Sequence, residues 1–168
     1  TPNDGIGDGE SYNSNSVVIC GANTATVWSW TEPVLLEEDG SIELDLYSKM
    51  YDAEHAPSQI VYSVITNTGS DQISATITGQ MITLAAIEQN FNGDAASDIT
   101  VNAYDGGYDV PVTFSVNVTP VNDAPVATND TYVVDEAGTY TSGIDSGLLF
   151  NDVDVDGDDL QIVVIEEP

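Results

Sequence analysis

Cationic side chains are almost missing from this sequence. One lysine (Lys49), no arginine and one histidine (His55) stand against 29 aspartates and glutamates in 168 residues, a formal charge of −28. Phosphate binding needs a cationic footprint, so nucleic acid is excluded as a partner, and an anionic membrane surface with it. A lone cysteine, Cys20, closes no internal disulfide, which excludes folds that depend on such staples. No apolar run approaches the roughly 20 residues that cross a bilayer, so membrane insertion is not expected. No signal peptide opens at Thr1, and the expectation is either a leader already removed or a piece of something longer. Nucleophilic catalysis would have to pair Cys20 or a serine with the one histidine, and no serine sits in a Gly-x-Ser-x-Gly turn. Glycoside hydrolysis needs two carboxylates across a cleft, whereas those here fall in loops and linkers. The chain is therefore read as not an enzyme.

What is present points to packed β structure. Apolar residues make up 41% of the chain and eight tyrosines accompany them, too much for a disordered acidic tail. Charge of this size repels itself in a compact fold unless counter-ions collect, so a medium rich in salt or divalent cations is expected. Apolar residues alternate with polar ones: Ile42, Leu44 and Leu46, then stretches 60–65, 73–77, 99–104 and 112–118. Short runs rich in β-branched and aromatic residues, separated by Gly, Asn, Asp and Ser, predict an all-β sandwich. Residues 81–89 fit a helical turn or two as well as they fit a strand.

An internal repeat organises the strands. Leu35-Leu36-Glu37-Glu38-Asp39-Gly40 matches Val133-Val134-Asp135-Glu136-Ala137-Gly138, with Glu38 and Glu136 98 residues apart. Tyr51-Asp52-Ala53-Glu54 likewise matches Val153-Asp154-Val155-Asp156, after a small insertion in the second copy. Self-similarity at this spacing means tandem sandwiches of about 100 residues each. Residues 1–31 read as the closing hairpin of a preceding copy, 33–119 as a complete sandwich, 120–125 as a linker and 126–168 as the first half of a following copy.

The acidic loops suggest what occupies them. Asn151-Asp152-Val153-Asp154-Val155-Asp156-Gly157-Asp158-Asp159 sets carboxylates at alternate positions and closes on glycine. Two carboxylates about 4 Å apart repel by about 1 kcal/mol in water and about 4 kcal/mol near a protein surface, so such a loop needs a cation to be ordered. Calcium accepts six to eight hard oxygen ligands in a tolerant geometry, and this segment supplies them.

The run 99–107, the strand 112–119 and the linker Val121-Asn122-Asp123-Ala124-Pro125 resemble the end and linker of bacterial cadherin-like tandem repeats, and 130–136 with 148–160 is similar to the opening of the next repeat. The resemblance implies Ig-like Greek-key sandwiches in tandem, with Ca2+ clamped between consecutive copies. Carried over, the junction after 33–119 draws on Glu38, Asp105, Asn122, Asp123, Asp152, Asp154 and Asp156, with Glu136 as the second copy's counterpart of Glu38. Asp52 and Glu54 would serve the junction before it, where Thr31-Glu32-Pro33 stands in place of the linker motif.

Other readings stand beside these. On so acidic a chain, 152–159 and the Asp52–Glu54 pair also read as solvated surface. Residues 3–10 resemble a calcium loop of the thrombospondin type 3 kind but read better as a flexible turn, His55 as an exposed polar residue, and Trp28 and Trp30 as packing residues before a sugar-stacking platform. Three functions are open on this reading. The first is an extracellular, calcium-rigidified stalk, adhesin extender or filament segment of a bacterial surface or secreted protein, joined to neighbouring repeats or to identical subunits head to tail. The second is a module that binds polysaccharide or mediates adhesion within a secreted polysaccharide-degrading enzyme or adhesin. The third is acidity that only adapts the chain to high salt.

Overall fold

The structure, a computed structural model, describes residues 22–141, 143 and 147–163. Its strands are β1 (Val27–Trp28), β2 (Val34–Glu37), β3 (Ser41–Asp45), β4 (Met50–Tyr51), β5 (Val61–Asn67), β6 (Ile73–Thr78), β7 (Met81–Ala86), β8 (Gly93–Tyr104) and β9 (Asp109–Thr119). One sheet runs in the order β2-β9-β8-β5, the facing sheet β3-β7-β6, and β1 pairs with β4 in a short ribbon. β2 joins β9 in parallel, with Val34 opposite Val116, and the remaining ladders are antiparallel. A four-stranded sheet facing a three-stranded one, with β2 paired in parallel to the last strand, is the arrangement of an Ig-like sandwich. The all-β expectation is the fold observed.

Alternation builds the core. Ile99, Val101 and Ala103 on β8, Val116 and Val118 on β9, Ile82 and Leu84 on β7, and Leu36 on β2 point inward and are buried, as a period of two requires of strands with one covered face. The ambiguous segment 81–89 resolves the same way: β7 is the central strand of its sheet, bonded to β3 on one side and β6 on the other.

Residues 22–30 pack on this sandwich, which corrects the expectation that they close a preceding one. β1 pairs with β4, Val27 opposite Tyr51. The Trp28 indole N–H donates to the Val110 carbonyl at 2.8 Å. Trp30 stacks on Phe114 with ring centroids 4.0 Å apart, and the Lys49 ammonium lies 5.8 Å from the Trp30 ring. Two indoles contribute enough apolar area to hold a segment of this length in place, so both tryptophans serve packing. Cys20 and the loop 3–10 lie outside the described residues.

The repeat is legible in the backbone. Asp39 and Ala137 both take a left-handed conformation, φ 58° and 60°, and the next amide closes the same turn in each copy, Gly40 to Glu37 O at 3.1 Å and Gly138 to Asp135 O at 2.8 Å. The β1–β4 pairing also has its counterpart: Val126 and Val153 form an isolated antiparallel bridge, with amide bonds of 2.8 and 3.1 Å. This equates Asn23-Thr24-Ala25-Thr26-Val27 with Asn122-Asp123-Ala124-Pro125-Val126. By this correspondence residues 23–27, and not Thr31-Glu32-Pro33, take the place that 122–126 take in the second copy. In the second copy Val133, Phe150, Val153 and Val163 stay exposed, because its described residues form one isolated bridge and no sheet to cover them.

Candidate metal centres at the two ends of the sandwich

Asp105 follows β8 and Glu38 follows β2, and β9 runs from one to the other. Its 11 residues span about 35 Å at roughly 3.3 Å per residue. The acidic residues consequently fall into two groups, one at each end.

At the linker end, Glu38 comes first. Its amide donates to Thr119 O at 3.0 Å, which fixes it where β2 and β9 run out together. Its carboxylate is buried, 3% exposed, and accepts from the Val121 amide at 2.7 Å and the Asn92 side-chain amide at 3.1 Å. The linker therefore leaves the sandwich tied to Glu38. Asp123 follows, held by Asn90 Nδ2 on its Oδ2 at 3.0 Å, and its own amide donates to Asp156 Oδ2 at 2.6 Å. One carboxylate oxygen each from Glu38, Asp123 and Asp156 lie within 4.8 Å of one another. Burial pushes the Asp123 carboxyl above the usual carboxylate range, and the charges of Asp156, Asp39, Glu38 and Asp154 add to it. Three segments thus bring like charges together, a configuration that a divalent cation relieves and that water relieves far less.

Beside this group lies a hollow lined by Asn122, Asp123, Asp152, Asp154 and Asp158. Asp154 Oδ1 accepts the Asp156 amide at 3.0 Å, which shapes the acidic loop, and Asp152 Oδ1 accepts the Thr128 amide at 2.7 Å, which pins the start of the second copy.

At the hairpin end, the β8–β9 turn is built around Asp105. Gly106 at φ 97° makes a conformation that a Cβ would strain, and it lets the Gly107 and Tyr108 amides both reach Asp105 Oδ1, at 2.8 and 2.7 Å. The Asn23 side-chain amide adds a third bond to the same oxygen at 3.0 Å. Burial alone would raise this carboxyl, but those amides, Asn23 and nearby His55 outweigh it and hold Asp105 below the usual value. Asp52, just after β4, is organised in the same way: its Oδ1 accepts from the Glu54 and His55 amides at 2.9 and 2.7 Å and lies 3.0 Å from His55 Nδ1. Ligand atoms of Asp52, His55 and Asp105 lie within 4.8 Å of one another.

The expected ligand set is therefore divided. Glu38, Asp123 and Asp156 come together, with Asn122, Asp152 and Asp154 around the adjoining hollow. Asp105 does not join them; it sits with Asp52, because the hairpin turn and the linker leave opposite ends of β9. Glu54 is exposed and accepts the Thr24 hydroxyl at 2.7 Å, the counterpart of the Asp123–Asp156 contact. Glu136 is exposed, in neither group. The structure adds Asn23, His55, Asn90 and Asn92 to the two groups. Of these only Asn23 has a signal in the sequence, its match to Asn122, and a lone histidine or asparagine carries none.

Known proteins resemble parts of this chain. No curated protein matches it. Among solved structures, the endo-fucoidan hydrolase MfFcnA4 of glycoside hydrolase family 107 is similar at 19% identity, over 64% of this chain and 16% of its own, with a TM-score of 0.42. Its relative MfFcnA9 is similar at 19% identity, over 60% and 16%, with a TM-score of 0.38. The chain spans a small part of either enzyme. Residues 122–168 match the bacterial Ig domain family, so the linker end joins the sandwich described above to a segment of bacterial Ig-like character.

Proposed function

We propose that this chain is a calcium-rigidified structural segment of a bacterial surface or secreted protein, built from cadherin-like Ig repeats and working as a spacer rather than a catalyst. The observation that carries this reading is the convergence of Glu38, Asp123 and Asp156 within 4.8 Å. The first comes from the body of the sandwich, the second from the linker and the third from the following Ig-like segment. An ion held by all three couples the sandwich to that segment. With it, the linker cannot bend without breaking coordination; without it, repulsion among the carboxylates favours separation and the linker acts as a hinge. Calcium suits the donors, which are carboxylates, with the Asn122 side chain in the adjoining hollow and neither thiolate nor imidazole among them. Millimolar calcium outside the cell and the bacterial Ig match at 122–168 support an extracellular place.

The test compares small-angle scattering and melting of the chain in millimolar calcium with the same in EDTA at matched ionic strength. A site filled at about 100 times its dissociation constant adds roughly 2.7 kcal/mol to stability, and the scattering envelope lengthens and stiffens. Full recovery with magnesium or sodium alone would overturn the assignment to calcium, and an Asp156→Ala variant that still stiffens would remove that residue from the site.

A further inference from the structure

We propose that the free edge of β6 is a self-association surface, on which a second copy of this chain lays its own β6 antiparallel about a two-fold axis. This goes beyond the calcium reading and does not depend on it. An edge strand is a template for another chain, and folded proteins blunt such edges with charge, proline, brevity or a bulge. The two sheets end on β2 and β5 and on β3 and β6, and the first three of these strands are blunted in this way. β2 has four residues, follows Pro33 and ends on Glu37. β3 carries Glu43 and Asp45, and β5 is bulged at Ile65, where the step from Val64 to Thr66 matches Val101 to Thr100 on β8. β6 has none of these devices. Its six residues, Ile73-Ser74-Ala75-Thr76-Ile77-Thr78, hold no charge, proline or glycine and pair with β7 in unbroken register. Between His55 and Glu88 the only charged residue is Asp71. On a chain of formal charge −28, the flank formed by β5 and β6 is therefore the approach along which two copies repel least.

The backbone fixes how the copies fit. The Ile87 amide donates to the Gln72 carbonyl at 2.8 Å, and the ladder sets Ile73 opposite Ala86. Residues 72, 74, 76 and 78 therefore turn their amides and carbonyls toward β7, and residues 73, 75 and 77 turn theirs outward. Ile73 is already engaged: its amide donates to Gly69 O at 2.8 Å, and its carbonyl accepts the Asn67 side-chain amide at 2.7 Å. Ala75 and Ile77 remain, and among the described residues no other strand bonds their outward groups. A two-fold axis through Thr76 sets Ala75 of each copy opposite Ile77 of the other, closing a hydrogen-bonded pair on either side of the axis. The same register keeps like faces together. Ala75 and Ile77 pack partly on the core of their own sandwich, while exposed Thr76 meets its own copy in a cross-strand threonine pair. The merged sheet ends on both sides in β3 with its Glu43 and Asp45, so association stops at two copies. One short strand from each copy makes a small interface, and the dimer exchanges with monomer.

The test follows the full chain by sedimentation equilibrium across concentration, in millimolar calcium and again in EDTA with the salt raised. A monomer–dimer equilibrium is expected in both, and it should tighten as salt screens the negative charge that the copies share. Ala75→Pro removes an amide that β7 does not use, so the sandwich keeps its ladder while the dimer loses a bond on each side of the axis. Association should weaken about tenfold or more. Thr76→Glu sets like charges face to face at the axis and should weaken it several-fold. Thr31→Glu adds the same charge beside β3, at the opposite edge of the sheet, and should leave it unchanged. Equal association in Thr76→Glu and Thr31→Glu would overturn the proposal, even where Ala75→Pro fails to fold. So would a wild-type chain that stays monomeric at every concentration, one that captures a free peptide of residues 73–78 but not its own copy, species larger than a dimer, or association that weakens as salt rises.

Discussion

The two ends of one sandwich handle negative charge in opposite ways. At the hairpin end each carboxylate is solvated by backbone before any ion arrives: Asp105 and Asp52 accept main-chain amides from the residues just after them, and Asp105 is held below the usual carboxylate range. At the linker end the carboxylates meet one another, and Asp123 is pushed up by burial and by four acidic neighbours. The first arrangement is preorganised and local. The second is assembled from segments that are separate in sequence, and its charges repel one another. A preorganised site can hold an ion without changing shape, whereas a repulsive one converts ion binding into mechanical coupling.

That contrast breaks most thoroughly through the core both ends share. Leu84 is fully buried on the central strand β7, and Leu84→Ala should cost about 3 to 5 kcal/mol from lost burial and the cavity left behind. Both ends should fail together in one cooperative transition, whatever metal is present. Calorimetry that resolved two transitions, with the calcium response surviving the first, would mean the ends fold independently.

Glu38→Gln sharpens the contrast instead. The amide keeps an oxygen for the Val121 amide but removes one of the charges crowding Asp123. In calcium the variant should lose about 1 to 2 kcal/mol, the difference between a charged and a neutral acceptor with an ion beside it. In EDTA the loss should vanish or reverse, because the repulsion is gone. A chevron or melting series in both conditions checks the sign change. An equal loss in each would make Glu38 a hydrogen-bonding residue only.

How much of this is legible in the sequence depends on range. The strands are legible because alternation is local: Ile99, Val101 and Ala103 announce a covered face by themselves. Residues 81–89 are not, since only pairing to β3 and β6 settles a short apolar run. Glu38, Asp123 and Asp156 are legible because a linker and a repeat place them. The resemblance carries Asp105 to the junction after 33–119, whereas the turn after β8 sets it a strand length away from the linker, a distance that one dimension does not display. Residues 23–27 escape because Thr24 and Thr26 replace the Asp123 and Pro125 that mark the linker.

The smallest expected effect probes how far each end's charge reaches into the core. Tyr62, buried on β5 with its hydroxyl 3.2 Å from Met50 Sδ, has its phenol pushed up to about 12 by burial, then by Asp45, Tyr47 and Asp52. A group raised on folding binds its proton more tightly in the native state, so the stability it contributes is complete below about 10 and is lost as pH rises through about 12. Absorbance titration should show one tyrosine ionising well after the others. Asp52→Asn, at the hairpin end, should bring that late step down, and Asp156→Asn, at the linker end, should leave it in place. Tyr62→Phe should remove it and cost within about 1 kcal/mol at neutral pH, since only a weak bond to sulfur is lost. If both asparagine variants moved the step equally, the field at Tyr62 would be that of the whole acidic surface, and the distinction between a local end and a coupled end would not extend below the surface.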